Sequence, residues 1–249
     1  MSVKENDTGL WVRRFHPWDS APARVICLPH AGGSASYFMP VSKTLAGKAE
    51  VLAIQYPGRQ DRRQEKGFTS VPALADAVVA ALGPWVDRPF VLFGHSMGAS
   101  VGFEVARRLE AVGTVPVALF PSGRVAPSRA RDERVHLQGD DALIRAVKEL
   151  NGTDSQIFDD EELLRMVLPA LRTDYTAAET YRWEPGPPLA TPVHAHVGDR
   201  DPKVTVDEAR DWEKHTTGGF SLTVHSGGHF YLDQHAAKVI QAIADVLPA

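Results

Sequence analysis

The sequence has little of several features that define whole classes of protein. Its one cysteine, Cys27, excludes an internal disulfide framework and a cysteine-rich zinc module. No run reaches the roughly 18 uncharged apolar residues of a membrane-spanning helix, and residues 1–7 lack the apolar stretch of a signal peptide. Positive charge is not in excess, since 27 Lys and Arg face 31 Asp and Glu for a net charge of −4. These absences predict a cytoplasmic protein that binds neither membrane nor nucleic acid.

What is present is an ordinary globular composition. The 249 residues are 43% hydrophobic and 23% charged, which is enough to bury a sizeable core. We expect a single domain spanning residues 1–249. We also expect a monomer, because the sequence has no long coiled-coil pattern and no apolar stripe that would be exposed.

Short apolar runs alternate with longer segments of helical periodicity. The predicted strands are residues 25–28, 51–54, 90–93, 117–120, 193–197 and 220–224. The predicted helices are residues 36–45, 71–82, 99–109, 206–215 and 233–247. This alternation predicts an α/β fold in which helices flank a mostly parallel central sheet. Residues 10–15 are a candidate antiparallel edge strand.

One long insertion, residues 124–190, interrupts the alternation. It contains two predicted helices, at residues 140–150 and 161–181, and Pro169 is expected to break or kink the second. An insertion of this length is too large for a connecting loop. We therefore predict a helical lid over the carboxyl edge of the sheet, where such folds bind ligands. The alternative is that these helices only add structural cover.

The segment Gly94-His95-Ser96-Met97-Gly98 lies between the most apolar strand and a predicted helix. A serine on such a sharp turn adopts strained backbone angles, and its neighbours two residues away must be small because the strand and helix backbones nearly touch. This context predicts that Ser96 is a nucleophile. The alternative is an ordinary glycine-rich turn.

A nucleophilic serine needs a base, and the base needs a group that orients it. In this arrangement the acid and then the histidine follow the serine, each after a later strand. His229 follows the predicted strand 220–224 and is the predicted base. Asp199 and Asp201 both follow the strand 193–197, and spacing alone leaves both open as the orienting acid.

The loop after the first predicted parallel strand, residues 29–33, contains two glycines that let backbone N–H groups turn inward. We predict that the N–H groups of Ala31 and Met97 stabilise an oxyanion, although an ordinary turn is the alternative. His194 and His196 share one strand face at a spacing that could suit a metal, but no third ligand is evident. They are interpreted as ordinary strand residues.

Five segments resemble the type II thioesterases of modular polyketide and nonribosomal peptide synthases: LPHAGGS at 28–34, QYPGR at 55–59, GHSMG at 94–98, GDRDP at 198–202 and GGHFY at 227–231. The similarity also includes residues 122–124 and 173–175. It implies an α/β-hydrolase fold with a helical lid. It also implies a catalytic triad of Ser96, Asp201 and His229, which favours Asp201 over Asp199, and it maps the oxyanion amides onto Ala31 and Met97.

The resemblance further implies a stand-alone editing enzyme that hydrolyses aberrant acyl groups from the phosphopantetheine arms of acyl-carrier or peptidyl-carrier proteins. A chain that runs from Met1 to just beyond the last helix suits a discrete enzyme better than a fused release domain. No metal or bound cofactor is expected, because the pantetheine arm belongs to the substrate. The rival interpretations are a general short-chain carboxylesterase or lipase, and a non-catalytic binding module.

Two local clusters of positive charge occur despite the negative total. Residues 59–66 and residues 124–134 each contain four basic and two acidic side chains. Carrier proteins are usually acidic, so such a cluster could form a docking rim. The sequence favours the simpler interpretation, two solvated surfaces.

Overall fold

A computed structural model describes residues 9–151 and 161–248, and within them one sheet has the strand order β1-β3-β2-β4-β5-β6-β7. The strands are β1 (Val12–Arg13), β2 (Arg24–Leu28), β3 (Glu50–Ile54), β4 (Phe90–His95), β5 (Ala118–Ser122), β6 (Val193–Gly198) and β7 (Phe220–His225). Every neighbouring pair is parallel except β1 with β3. The predicted edge strand at residues 10–15 is therefore confirmed as antiparallel, but only two residues of it pair.

Helices connect and cover these strands. They are α1 (Met39–Leu45), α2 (Val71–Leu82), α3 (Met97–Ala111), α4 (Asp140–Asn151), α5 (Glu161–Thr180), α6 (Val206–Arg210) and α7 (Leu232–Asp245). A mostly parallel sheet with helices around it confirms the predicted α/β class. Among the residues described, no helix combines the length and the apolar character needed to cross a membrane.

The central strands are buried on both faces, which explains their continuous apolar sequence. Side chains of β2 alternate between two cores: Ile26 and Leu28 belong to one, and Val25 and Cys27 belong to the other. The Cys27 thiol is fully buried, and burial raises its pKa. The sheet is thus a rigid layer whose carboxyl edge can hold side chains in fixed positions.

Three helical segments differ from their predictions. The predicted helix 36–45 begins as a 3₁₀ turn, Ala35–Phe38, and the predicted helix 206–215 ends as one, Asp211–His215. Of the two effects expected of Pro169, a break in the second insertion helix does not occur, because α5 continues from Glu161 to Thr180. Proline removes one backbone hydrogen bond, whereas the turn that follows it buries Ala170 and Leu171. Residues 152–160 of the predicted lid lie outside the described residues.

The two insertion helices, α4 and α5, come between β5 and β6 in the chain. Leu143 and Val147 of α4 pack against Leu171 and Tyr175 of α5, and Ala31 of the loop after β2 lies against the same cluster. The insertion therefore rests directly on the carboxyl edge of the sheet.

Candidate active site

Ser96 occupies a strained turn between β4 and α3. Its φ of 54° and ψ of −118° lie in a region that side chains rarely adopt. A Cβ on Gly94 would stand 2.1 Å from the carbonyl oxygen of Gly98, and a Cβ on Gly98 would stand 2.1 Å from that of Leu28. Both flanking glycines are therefore steric requirements, as the sequence predicts.

His229 and Asp201 are brought together from the loops after β7 and β6. His229 Nδ1 lies 2.9 Å from Asp201 Oδ2 and 3.0 Å from Oδ1, and both side chains are buried. Asp201 Oδ1 also accepts a hydrogen bond of 2.8 Å from the Lys203 backbone N–H. A carboxylate held in this way fixes the ring with its proton on Nδ1 and leaves Nε2 as the nitrogen that can accept a proton.

Asp199, the alternative acid, has a different partner. Its Oδ1 accepts a hydrogen bond of 2.8 Å from the Gly227 backbone N–H, and its side chain is half exposed. This hydrogen bond from Gly227 is the main cause that lowers the Asp199 pKa. Asp199 thus ties the loop after β6 to the loop that carries His229, and the contact with the imidazole belongs to Asp201.

Ser96 and His229 line one cavity of about 190 Å³. Apolar side chains of α4 and α5 form one wall, and basic side chains form another part of the lining: Arg124, Arg129, Arg131, Arg182 and Lys203. Within residues 9–151 and 161–248, no hydrogen bond joins the Ser96 hydroxyl to His229. Such bonds are often long in a site without substrate and shorten when it binds.

Of the two predicted oxyanion donors, Ala31 lines this cavity, and Met97 directly follows Ser96, which also lines it. Met97 is the first residue of α3, where a backbone N–H has no acceptor within the helix. Ala31 lines the cavity in the loop after β2. The neighbouring amides are occupied, since Gly32 N–H donates to Asp174 Oδ2 at 2.7 Å and Gly33 N–H donates to the His30 carbonyl oxygen at 2.9 Å.

Comparison with known proteins identifies the family. The family model described as a thioesterase domain matches residues 23–247. The chain belongs to the thioesterase family. It is 51% identical to the thioesterase PikA5 of Streptomyces venezuelae over 243 residues, and this alignment covers 97% of this chain and 86% of that protein. It is 48% identical over 247 residues to a probable cadicidin biosynthesis thioesterase of Streptomyces griseus, with 99% and 68% covered.

Solved structures extend this agreement to three dimensions. The type II thioesterase BorB from the borrelidin biosynthetic cluster superposes with a TM-score of 0.92 at 50% identity, covering 96% of this chain and 98% of that one. The predicted resemblance to type II thioesterases is confirmed. The protein is therefore a thioester hydrolase.

The thioesterase holds two further histidines beside His229. The His95 ring centroid lies 5.0 Å from that of His229 and 5.9 Å from that of His30. Burial and, secondarily, the charge of His229 lower the pKa of His30 to about 3 and the pKa of His95 well below its usual value. Both rings therefore stay neutral; His95 packs against His229, and His30 packs against His95. The sequence pattern around His30 and His95 assigns no role to either ring.

His95 is fixed from behind by a short buried chain of hydroxyls. Its Nδ1 lies 2.9 Å from Ser122 Oγ, which lies 2.5 Å from the Tyr231 hydroxyl. Ser122 and Tyr231 belong to the segments that carry the family resemblance, and in the structure they hold the His95 ring in position.

The strand histidines have ordinary partners. His194 Nδ1 lies 2.7 Å from Ser221 Oγ, and His196 Nδ1 lies 2.9 Å from His225 Nε2. Throughout the described part of the chain, no group of three or more His, Cys, Asp or Glu side chains could hold a metal ion. The interpretation of His194 and His196 as ordinary strand residues stays a prediction.

The prediction that both basic clusters are solvated surfaces is wrong for three arginines. Arg59 and Arg62 are buried and pair with Asp174 and Glu65. Arg124 donates from Nε to Ser100 Oγ at 3.0 Å and from Nη2 to the Ala178 carbonyl oxygen at 2.8 Å. Most of the acceptors that bury these guanidinium groups lie far away in the sequence, so a local count of charge could not reveal them.

Proposed function

We propose that this thioesterase is a cytoplasmic editing enzyme that hydrolyses aberrant acyl groups from the phosphopantetheine arms of acyl-carrier or peptidyl-carrier proteins. One observation carries the proposal: a serine on a strained turn shares a cavity with a buried His–Asp pair in a chain that matches a type II thioesterase over nearly its whole length. We further propose that residues 124–190 act as the lid, which is supported by the apolar wall that α4 and α5 contribute.

In the first half of the reaction, Ser96 Oγ attacks the thioester carbonyl carbon while His229 Nε2 takes the hydroxyl proton. Asp201 accepts the Nδ1–H hydrogen bond and stabilises the imidazolium. The negative oxygen of the tetrahedral intermediate accepts hydrogen bonds from the N–H groups of Ala31 and Met97. The carbon–sulfur bond then breaks and His229 returns the proton to sulfur. A thiol with a pKa of about 8.5 leaves easily.

In the second half, water attacks the acyl-Ser96 ester and His229 takes one proton from it. The tetrahedral intermediate again faces the same two amides. Its collapse breaks the bond to Ser96 Oγ, which regains the proton from His229, and the free carboxylic acid departs. The residues named supply every proton transfer in this scheme.

The test is hydrolysis of a panel of acyl-carrier proteins, from acetyl upward, by the native enzyme and by Ser96→Ala. We expect Ser96→Ala to lose activity on every member. Asp201→Asn should lose on the order of 10³- to 10⁴-fold in kcat, because the imidazole loses the carboxylate that orients it.

Asp199→Asn is the matched control, since an amide oxygen at that position can still accept the Gly227 N–H. It should keep activity within a few fold of native. Equal losses in the two aspartate variants would contradict the assigned roles, and full activity in Ser96→Ala would contradict the mechanism.

Two measurements separate the rival functions. A carboxylesterase would hydrolyse the oxygen ester of a short acid at least as fast as the matched thioester, whereas we expect the thioester to be favoured. A binding module would not be labelled at Ser96 by a serine-directed fluorophosphonate, whereas we expect labelling that Ser96→Ala abolishes.

A further inference from the structure

Arg59 and Asp174 form a buried ion pair that the catalytic scheme does not use. Arg59 Nη1 lies 2.8 Å from Asp174 Oδ2, and Nη2 lies 2.9 Å from Oδ1, so the contact is bidentate. The two residues are 6% and 2% exposed. Arg59 follows β3 and Asp174 belongs to α5, so the pair joins the body of the sheet to an insertion helix.

Both members of the pair also bind the loop that carries Ala31. Asp174 Oδ2 accepts the Gly32 N–H at 2.7 Å, and Arg59 Nη1 donates to the Gly33 carbonyl oxygen at 2.9 Å. Two consecutive residues of the loop are therefore held by one ion pair, through one N–H group and one carbonyl group. Hydrogen bonds to charged partners are the stronger class, and a bidentate pair also fixes direction.

Ala31 lies between two fixed points. On one side, the carbonyl oxygen of His30 accepts the Gly33 N–H at 2.9 Å and closes the turn. On the other side, the Gly32 N–H is bound to Asp174. Gly32 has a φ of 76°, and a Cβ there would stand 2.4 Å from Leu171 Cδ2, so α5 also packs closely on this loop.

We propose that Arg59 and Asp174 are positioning residues that hold the Ala31 N–H in the direction required to bind the oxyanion. Because Asp174 belongs to α5, this direction depends on the position of α5 against the sheet. The inference rests on the proposed function, in which Ala31 is an oxyanion donor. A buried ion pair is a poor means of adding stability, because well-packed apolar side chains do as well or better. Its distinctive contribution here is orientation.

The decisive variant is the double substitution Arg59→Met with Asp174→Leu, which removes both charges together and leaves neither one buried alone. We expect it to fold, since apolar side chains of similar length replace the pair. Its kcat on a short acyl thioester of N-acetylcysteamine should fall about 10- to 100-fold, less than the effect of deleting an oxyanion donor outright. Its KM should stay within about threefold.

A second readout distinguishes orientation from general damage. A trifluoromethyl ketone analogue of the substrate forms a tetrahedral oxyanion on Ser96, so its affinity reports the oxyanion donors directly. We expect its Ki to rise in the double variant by the same factor as kcat/KM falls. Loss of stability alone would not produce this match.

Arg62→Met is the matched control, because Arg62 is equally buried and lies on the same segment but binds Glu65 and the Gln55 carbonyl oxygen instead of the loop. It should lose stability while its kcat and Ki stay near native. If the double variant does not fold, Asp174→Asn carries the test: it keeps an acceptor for the Gly32 N–H, so a smaller loss of kcat with a matching rise in Ki is expected.

Two outcomes overturn the inference: native kcat and Ki in the folded double variant, or equal losses of kcat in the double variant and in Arg62→Met. Failure of the proposed function has a different signature. In that case the native enzyme does not hydrolyse the thioester, or Ser96→Ala hydrolyses it equally well.

Discussion

Gly98 and Gly102 lie one turn apart on α3, and replacing each by alanine separates close backbone contact from helix stability. An alanine Cβ at position 98 would stand 2.1 Å from the carbonyl oxygen of Leu28 and 2.7 Å from that of Pro29, both of which are backbone atoms. At position 102 the nearest atoms are Leu28 Cδ1 at 3.1 Å and Leu119 Cδ1 at 3.3 Å, which are the ends of flexible side chains.

The magnitudes follow from these contacts. Real Cβ atoms stay 3.0 Å or more from other atoms, so Gly98→Ala must separate α3 from the end of β2 by about 0.9 Å. That movement displaces Ser96 and Met97 relative to Ala31, and a misplacement of this size can reduce kcat by about 100-fold. Overpacking should cost about 1–3 kcal/mol of unfolding free energy, against a gain of about 1 kcal/mol in helix propensity at either position.

The assay combines urea unfolding with thioester hydrolysis for both variants. We expect Gly98→Ala to lose stability and most of its activity. Gly102→Ala should stay within about 1 kcal/mol of native stability and keep its activity. Native activity in Gly98→Ala, or equal losses in both variants, would refute the argument that backbone approach positions the nucleophile.

Two further predictions concern pH and surface charge. Burial is the main cause that lowers the pKa of His30 and His196 to about 3, so below pH 6.5 the unfolded chain binds more protons than the folded protein. Above pH 6.5 the protonation of these two rings therefore does not affect the free energy of unfolding. Below pH 6.5 it decreases this free energy as the pH falls, by up to about 1.4 kcal/mol per pH unit for each ring. Urea unfolding at pH 7 and pH 5 should show this slope, and His196→Asn should reduce it. Charge reversal at Arg129 and Arg131 should slow hydrolysis of carrier-bound acyl groups and leave hydrolysis of soluble thioesters unchanged. The control Arg210→Glu, which lies outside the cavity lining, should affect neither reaction. Equal loss of activity on both substrates would contradict a docking role.

The ion pairs of Arg129 and Arg131 set the design of that last experiment. Arg129 contacts Asp211, and Arg131 Nη2 lies 2.5 Å from Glu208 Oε2. Part of their charge is thus already balanced on the protein. Arg210 pairs with Asp207, which lies in the same segment as Glu208 and Asp211. Reversal of the Arg210 charge therefore also breaks one ion pair, as the two test substitutions do.

The sequence predicts the central strands and the turn at Ser96 because both depend on local pattern. A continuously apolar strand is buried on both faces, and glycine is needed wherever two backbones nearly touch. The location of His229 follows from chain order after its strand. The geometry also separates Asp201 from Asp199, which spacing alone could not do, because the difference lies in which carboxylate meets the imidazole and which meets the Gly227 amide.

What the sequence could not predict depends on contacts between distant segments. Arg59 and Asp174 are 115 residues apart, and nothing local marks either as buried. The same holds for the continuity of α5 through Pro169, which follows from the packing of Ala170 and Leu171 and not from helix propensity. These features are recognised only when the sheet and the insertion are placed together.

Leu171 belongs to two structures at once: it lines the cavity, and it touches the residue that follows Ala31. A smaller side chain at this position would enlarge the space for bulkier acyl chains, and it would also remove packing from the loop that carries Ala31, the proposed oxyanion donor. If Ala31 acts as proposed, this one side chain links the range of substrates accepted to the rate of turnover, so a redesign of either property must compensate for the other.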